Sequence, residues 1–457
     1  MEDHIEIKKK KKIGGLYKVS PLKIIPVVFA LIIFTGAVLL TFPAAQKEGF
    51  TSFSDALFTA TSATCVTGLV RFDTFTHWSL FGQIVILAMI QIGGIGFMTI
   101  AVWLMSFTKH KIGLNSRFIM QSAIASPNLE GMVRITRFIL LGTIIVEGTG
   151  AVLLSTVFVP EFGIKRGIYY GIFHSISAFC NAGFDLMGAN KQFSSVTAYS
   201  GNYIVNITIM SLIVIGGLGF IVWEDLIDKK FRFSKLRLHT KIVVTVTLSL
   251  IFGGALVLFL LETGTEASAG KPLDERVLNA FFQSVTARTA GFNSVDLTAM
   301  SESSVYVMIW LMMIGGSPGS TAGGIKTTTF AVLIISIISV FRRKKNEEIY
   351  GRRLEERAMR TSACVFMSYL ILTTVAAVII SKIEMVPVLT ALYESVSAIG
   401  TVGLSMGITP HIGMVSKFIL IILMYVGRVG SMTILMAFSS ERRLSASKRP
   451  LEKVQLG

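Results

Sequence analysis

Eight stretches of this chain are apolar for roughly 17 residues or more, the length at which a helix can cross the hydrocarbon core of a bilayer. They lie at Ile24–Phe42, Phe81–Phe107, Phe138–Val159, Tyr203–Val222, Val243–Leu261, Val305–Phe341, Cys364–Ile380 and Phe418–Phe438. Only 15% of the 457 residues are charged and 52% are hydrophobic, against roughly 25% charged in an ordinary soluble domain. That leaves too little polar surface for a soluble enzyme or a disordered tail protein. The first run follows a basic cluster, Lys8 to Lys12, but exceeds the roughly 7–15 residues of a signal-peptide core. It is read as a first span. The sixth run is too long for one crossing and contains Gly315-Gly316-Ser317-Pro318-Gly319-Ser320-Thr321-Ala322-Gly323-Gly324. Glycine and proline both oppose a continuous helix there.

The 43 Lys and Arg exceed the 27 Asp and Glu, a formal charge of +16. If odd spans begin inside, 31 of the 43 fall in inner segments, nine in outer ones, and Arg288, Lys326 and Arg428 at membrane depth. This bias follows the positive-inside rule. It predicts a multi-pass plasma-membrane protein with both termini cytoplasmic, in contact with membrane lipid, and it removes nucleic acid as the reason for the charge.

Each outer segment holds a second, shorter helical pattern: Ser54–Ala63, Gly167–Ala178, Asp274–Ala287 and Val386–Ala398. Such helices are too short to span, so they are predicted to be re-entrant. Each runs from a small hydroxyl residue (Ser62, Ser177, Thr286, Ser397) to a glycine six residues later, or five in the third copy. The following span echoes the pattern with Gly93-Gly94, Gly216-Gly217, Gly315-Gly316 and Gly427-Arg428, 25, 33, 24 and 24 residues beyond the loop glycine. A fourfold recurrence of long helix, short helix, glycine loop and long helix is an internal repeat. The expected fold is an all-α integral membrane protein of four M1–P–M2 repeats, with eight spans and four re-entrant loops in pseudo-fourfold symmetry around one pore. The expected boundaries are 1–19 for a basic N-terminal segment, then repeats at 20–128, 129–230, 231–345 and 346–440, and a tail at 441–457.

An ion that leaves water must exchange its hydration shell for other oxygens, and rings of backbone carbonyls supply them in potassium filters. Turning successive carbonyls inward needs backbone angles that glycine reaches without steric strain. Gly68, Gly183, Gly291 and Gly403 are therefore expected to form a filter, with carbonyls from Val66 and Thr67, Asn181 and Ala182, Thr289 and Ala290, and Thr401 and Val402. The varied side chains are tolerable because the backbone is the ligand. Each short helix would aim its negative C-terminal end at the pore and favour a cation. The paired glycines of the spans are read as packing residues.

With Arg-Thr-Ala-Gly-Phe at 288–292, Thr-Val-Gly-Leu at 401–404 and all four loop glycines, the chain resembles the Trk/Ktr/HKT superfamily of cation transporters over about residues 20–440. It is most similar to the Ktr type of bacterial membrane subunit. The resemblance implies potassium uptake, with K+ as the transported ion at the filter residues and Na+ as a candidate coupling ion. A serine in place of the first glycine accompanies sodium permeation in some plant members, so Gly68 favours potassium. Residues 315–324 correspond to the family's intramembrane gating loop, and Arg428 to an arginine that points into the pore below the filter. The resemblance also implies a homodimer docked on a separate cytosolic ring that binds nucleotide. The inner loops near 342–360 and 229–241 are short and basic, which positive-inside anchoring already explains.

The remaining residues carry less. Arg288 would repel a cation, so its side chain is expected behind the filter, held by an outer carboxylate. Lys326 is expected either to reach the cavity or to snorkel inward. Cys65 and Cys180 occupy matching positions and read as packing residues, with Cys364 distant from both. The six histidines show no metal spacing, no P-loop is present, and no cofactor is expected. A sodium-permeable member of the same fold is the first alternative. A membrane enzyme is the second, but Glu147, His174 and Glu394 are too dispersed in the sequence to suggest a catalytic cluster.

Overall fold

The computed structural model describes residues 21–47, 49–96, 132–265, 268–344, 346–430 and 452. The expected N-terminal segment 1–19 and nearly all of the expected tail 441–457 lie outside them. Among the described residues the helices longer than one turn begin with α1 (Pro21–Thr41), α2 (Phe53–Thr64) and α3 (Leu80–Ile95). Next come α4 (Met132–Phe162), α5 (Ile164–Phe179), α6 (Tyr203–Leu218) and α7 (Phe220–Asp228). They are followed by α8 (Leu238–Glu262), α9 (Leu273–Thr286), α10 (Glu302–Met313) and α11 (Thr327–Phe341), then α12 (Glu356–Glu384), α13 (Val388–Gly400) and α14 (Met414–Val429).

Composition and capping explain these elements. α1, α4, α8 and α12 are long and apolar enough to cross a membrane. Side-chain caps start three of the helices that follow: Ser79 accepts from the Gly82 N–H, Asn202 from Val205 and Ser301 from Ser304. Large apolar side chains face outward, such as Leu141, Ile145 and Val152 on α4 and Phe252, Leu256 and Leu260 on α8. The buried centre is rich in hydroxyls, including Thr59, Ser62, Thr64, Ser177, Thr286 and Ser397. This distribution, apolar outside and polar within, suits a protein surrounded by lipid.

The helices close into a circle. α1, α4, α8 and α12 each pack against the short helix that follows, α2, α5, α9 and α13 respectively. Each short helix also meets the helix that follows the preceding short helix: α5 meets α3, α9 meets α6, α13 meets α10, and α2 meets α14. The last of these contacts joins the first short helix to the last of the described helices. Asp55 at the start of α2 binds Lys417 of α14 at 2.6 Å and Arg71 at 3.2 Å, while Arg71 also donates to the Ile412 carbonyl at 3.0 Å.

The helices on the second side of each unit are not the continuous spans expected. α3 stops at Ile95, α6 at Leu218 and α14 at Val429, each before a glycine with positive φ: Gly96 at 88°, Gly219 at 96° and Gly430 at 90°. α7 leaves α6 at 94°. The remainders of the expected spans 81–107 and 418–438 lie outside the described residues. Sequence hydropathy runs through these breaks because both flanks are apolar. The predicted interruption of 305–341 is present, between α10 and α11.

The packing role expected of the paired glycines fits their surroundings. A Cβ on Gly93, Gly216 or Gly427 would strike the carbonyl of Thr64, Phe179 or Ile399, at the end of a short helix in each case. Gly93→Ala should lower stability by about 1–3 kcal/mol through overpacking, read as a lower melting temperature of the purified protein. Gly253→Ala on α8, where a Cβ meets open space, should leave that temperature unchanged.

Candidate functional site

The spacing from hydroxyl residue to glycine has a backbone cause. The carbonyl of Ser62 accepts the Thr67 N–H at 2.8 Å, Ser177 that of Ala182 at 2.7 Å, and Ser397 that of Val402 at 2.8 Å. In the third copy, one residue shorter, Thr286 accepts from Ala290 at 3.0 Å. The hydroxyls act too: Gly68 N–H donates to Ser62 Oγ and Gly403 N–H to Ser397 Oγ, both at 3.0 Å, and Thr286 Oγ1 donates to the Phe292 carbonyl at 2.5 Å. The short helix thus turns back at a fixed point into its glycine.

Within each loop, two residues adopt positive φ with one between them. Val66, Asn181, Thr289 and Thr401 lie at 57°, 59°, 71° and 52°, and the four glycines at 93°, 68°, 83° and 93°. An ordinary strand sends successive carbonyls to opposite sides. Alternation with the left-handed region lets them share one side.

The four loops meet. A Cβ on Gly68 would lie 2.5 Å from the Ala182 carbonyl oxygen, one on Gly183 2.8 Å from that of Ala290, and one on Gly291 2.5 Å from that of Val402. A Cβ on Gly403 would strike the Thr67 carbonyl, which closes the circle. All twelve loop residues singled out in the sequence are thereby brought together. On one side of the ring lies a cavity of about 260 Å³, lined by the four glycines with Asp73, Asp185, Asp296, Ser405 and Thr409 among others. Asp73 is satisfied by the N–H groups of Phe75, Thr76 and Phe193. Asp185 accepts from Met187 N–H at 2.9 Å. Burial, with the Asp73 charge adding to it, pushes Asp185 up to about 7.

On the other side lies the loop 315–324. A Cβ on Gly323 would strike Thr401 Oγ1, and one on Gly315 would lie 3.0 Å from the Thr289 side chain. The loop is docked on the break between α6 and α7. Ser317 N–H donates to the Gly217 carbonyl at 3.0 Å, Thr321 N–H to that of Gly216 at 3.2 Å, and Phe220 N–H to that of Gly319 at 2.9 Å. The Arg428 guanidinium donates to the Thr321 carbonyl and to those of Gly93 and Gly94. Lys326 takes neither expected course: its Nζ donates back to Ala322 at 2.7 Å and Gly323 at 3.5 Å. Three successive loop carbonyls therefore face two cationic side chains.

Arg288 is buried behind its loop, as expected, but no carboxylate holds it among the described residues. Its guanidinium reaches the carbonyl and hydroxyl of Thr247 on α8, both at 3.5 Å. Cys65 and Cys180 are buried free thiols, and Cys180 packs on Gly94. Glu147 pairs with Gln91, His174 with the backbone of Tyr170 and Leu186, and Glu394 with residues 405–409. The three do not converge. No group of three or more potential metal-binding His, Cys, Asp or Glu occurs among the described residues.

An apolar-jacketed ring of helices around a glycine-lined polar centre is the architecture of a membrane transport protein. Residues 21–446 match the TrkH family, described as cation transport proteins, and the chain belongs to that family. It is 39% identical over 447 residues to the potassium/sodium uptake protein NtpJ of Enterococcus hirae, covering 96% of this chain and 98% of that one. It is 38% identical over 431 residues to the Ktr system potassium uptake protein B of Bacillus subtilis, covering 94% and 95%. The fold resembles that of the potassium transporter TrkH from Vibrio parahaemolyticus, with a TM-score of 0.72 at 17% identity, over 93% of this chain and 86% of that one. These are transporters and not enzymes.

The Asp185 shift sets a pH dependence. A carboxyl raised to about 7 is ionised above that pH and neutral below it, so the folded protein holds this proton more tightly than the unfolded chain. Acidification from about pH 8 to about pH 6 should remove a negative charge from the cavity and raise the KM for cation uptake about threefold. Asp185→Asn should hold KM at its acid value throughout, as read from uptake kinetics at both pH values.

Proposed function

We propose that this chain is a potassium uptake protein of the plasma membrane, with four M1–P–M2 repeats surrounding one pore in pseudo-fourfold symmetry. The repeats are those bounded at 20–128, 129–230, 231–345 and 346–440. The closed circle of Gly68, Gly183, Gly291 and Gly403 carries this reading. Carbonyls of residues 66–67, 181–182, 289–290 and 401–402 would replace the hydration shell of K+. They are hard oxygen donors of the kind an alkali cation accepts, and no acidic side chain occupies the four triplets. The membrane potential drives entry, supplying about 2.3 kcal/mol per charge for each 100 mV. Both termini are assigned to the cytoplasm.

The loop 315–324 would gate the pore with Arg428. Its contacts with Thr289 and Thr401 support a position across the path, and the guanidinium tie to three carbonyls supports a closed arrangement. Passage requires those hydrogen bonds to open. Relatives named as parts of a Ktr system support a multi-component system, in which a homodimer of this chain would dock on a cytosolic nucleotide-binding ring. The potassium/sodium name of NtpJ favours a second reading, with sodium either permeating or coupled.

Uptake of K+ and Na+ in a transport-deficient host, with and without a co-expressed regulatory subunit, tests these readings. The wild-type chain should take up K+ in preference to Na+, and equal rates would overturn the potassium reading. Gly68→Ser places a side chain at φ 93° against the Ala182 carbonyl and should reduce the preference about tenfold, equivalent to about 1.4 kcal/mol. Deleting several residues of 315–324 should raise flux without the regulator. Arg428→Ala should change uptake rate more than protein level in the membrane, and equal loss of both would count against a gating role.

A further inference from the structure

A second recurrence lies behind the glycine ring. Nine residues before Gly68, Gly183 and Gly403 stand Thr59, His174 and Glu394, on α2, α5 and α13; in the shorter third copy Gln283 stands eight before Gly291. His174 and Glu394 are fully buried, and both reach the backbone N–H three residues beyond their glycine. Met406 N–H donates to Glu394 Oε1 at 3.0 Å, and Leu186 N–H donates to His174 Nε2 at 3.3 Å. Nδ1 of His174 lies 2.7 Å from the Tyr170 carbonyl, so the hydrogen-bond network assigns the proton to Nδ1 and leaves Nε2 as acceptor.

Glu394 collects more. Ser405 Oγ donates to Oε1 at 2.5 Å and Thr409 Oγ1 to Oε2 at 2.8 Å. A buried carboxylate needs such donors, and all three come from residues 405–409, of which Ser405 and Thr409 line the cavity above the ring. The other two copies are built differently. Thr59 donates to the Asp55 carbonyl of its own helix, and it is the Asp55 carboxylate that holds Arg71, three residues beyond Gly68. Ser294, three beyond Gly291, donates to Asn279 Oδ1 at 2.7 Å, while neither Gln283 amide atom has a hydrogen-bond partner among the described residues.

We propose that Glu394 and His174 are positioning residues that fix the outer ends of the fourth and second loops and thereby help the ring choose between K+ and Na+. The proposal rests on the carbonyl-filter reading. A glycine has no side chain with which to hold its own carbonyl, so the spacing of ring oxygens depends on what anchors the chain on either side. On the inner side, the hydroxyl residues of the short helices are that anchor in every copy. On the outer side, only the second and fourth copies use a buried side chain nine residues back. The cation pore is therefore braced unequally, most firmly at Glu394.

Competition between K+ and Na+ for uptake by the full chain tests this, together with the melting temperature and membrane level of each variant. Glu394→Ala removes every acceptor and should lower K+/Na+ discrimination about tenfold, from the loss of hydrogen bonds to a charged group. Glu394→Gln keeps one oxygen for the Met406 N–H and should restore most of it. Should Glu394→Ala fail to accumulate, Ser405→Ala and Thr409→Val carry the test, each expected to lower discrimination about threefold. His174→Phe, which fills the space without an acceptor, should do likewise. Folded variants with the wild-type ratio, or with both ions lost in proportion, would overturn the proposal. Gly403→Ser, assayed alongside, reports on the ring itself. If it alters the ratio while the Glu394 and partner variants do not, only the brace fails; if it too leaves the ratio unchanged, the filter reading fails.

Discussion

Four backbone segments crowd so closely around one axis that a single added methyl group on any of the four glycines would meet the next segment's carbonyl. That contact sets the rules for the rest of the molecule. Carbonyl oxygens that converge repel one another, so each segment must be held from behind. The anchor is a short helix whose last turn supplies a backbone carbonyl in every copy and, in the first, third and fourth, a bonded hydroxyl as well. Each short helix is seated in turn against a glycine of the following helix in three of the four copies, where no side chain could fit. Close approach at the centre therefore demands close approach one layer out.

The surrounding helices serve that centre. Long apolar helices turn large side chains outward, while their partners stop short at glycines with positive φ in three of the four copies. In the third copy the stop becomes a ten-residue loop, and the same break in the second copy receives it. Gly219 shows the fit: a Cβ there would lie 2.7 Å from the Pro318 carbonyl. Arg428 then spans from the fourth helix set to the loop and to the first. An arginine at this depth is costly unless its donors are satisfied, and here backbone carbonyls at the end of α3 and in the loop 315–324 satisfy it. A helix end presents its last carbonyls to such a partner, and the guanidinium takes up those of Gly93 and Gly94.

Much of this was legible along the chain. The short helices fall within about three residues of the places their hydropathy indicates, because an apolar segment too short to span has few other uses. The four glycines stand out because each follows a hydroxyl residue by six positions, or five in the third copy. The reason for that distance was not legible, since it lies in a hydrogen bond between two main-chain groups that any residue possesses. The helix breaks at Gly96, Gly219 and Gly430 were missed because apolar sequence continues on both sides. Among the described residues no carboxylate holds Arg288; a threonine on a neighbouring helix takes that place, which sequence separation hides. Glu394 and His174 looked too scattered to matter, and as a catalytic cluster they are. Their significance appears only when each is counted back from its own glycine.

By itself, the sequence determined a membrane protein, its long apolar helices, an uneven distribution of positive charge among the segments that join them and a fourfold internal pattern. These follow from local quantities: the apolar length of a segment, the charge of a loop and the spacing of small residues. Tertiary structure decided which backbone groups face one another, that Lys326 folds back on its own loop, and that Arg428 binds three carbonyls from two distant segments. It also decided that the four glycines close a circle. Those outcomes depend on where helices cross after packing, and the carbonyls involved carry no signature in the amino-acid code.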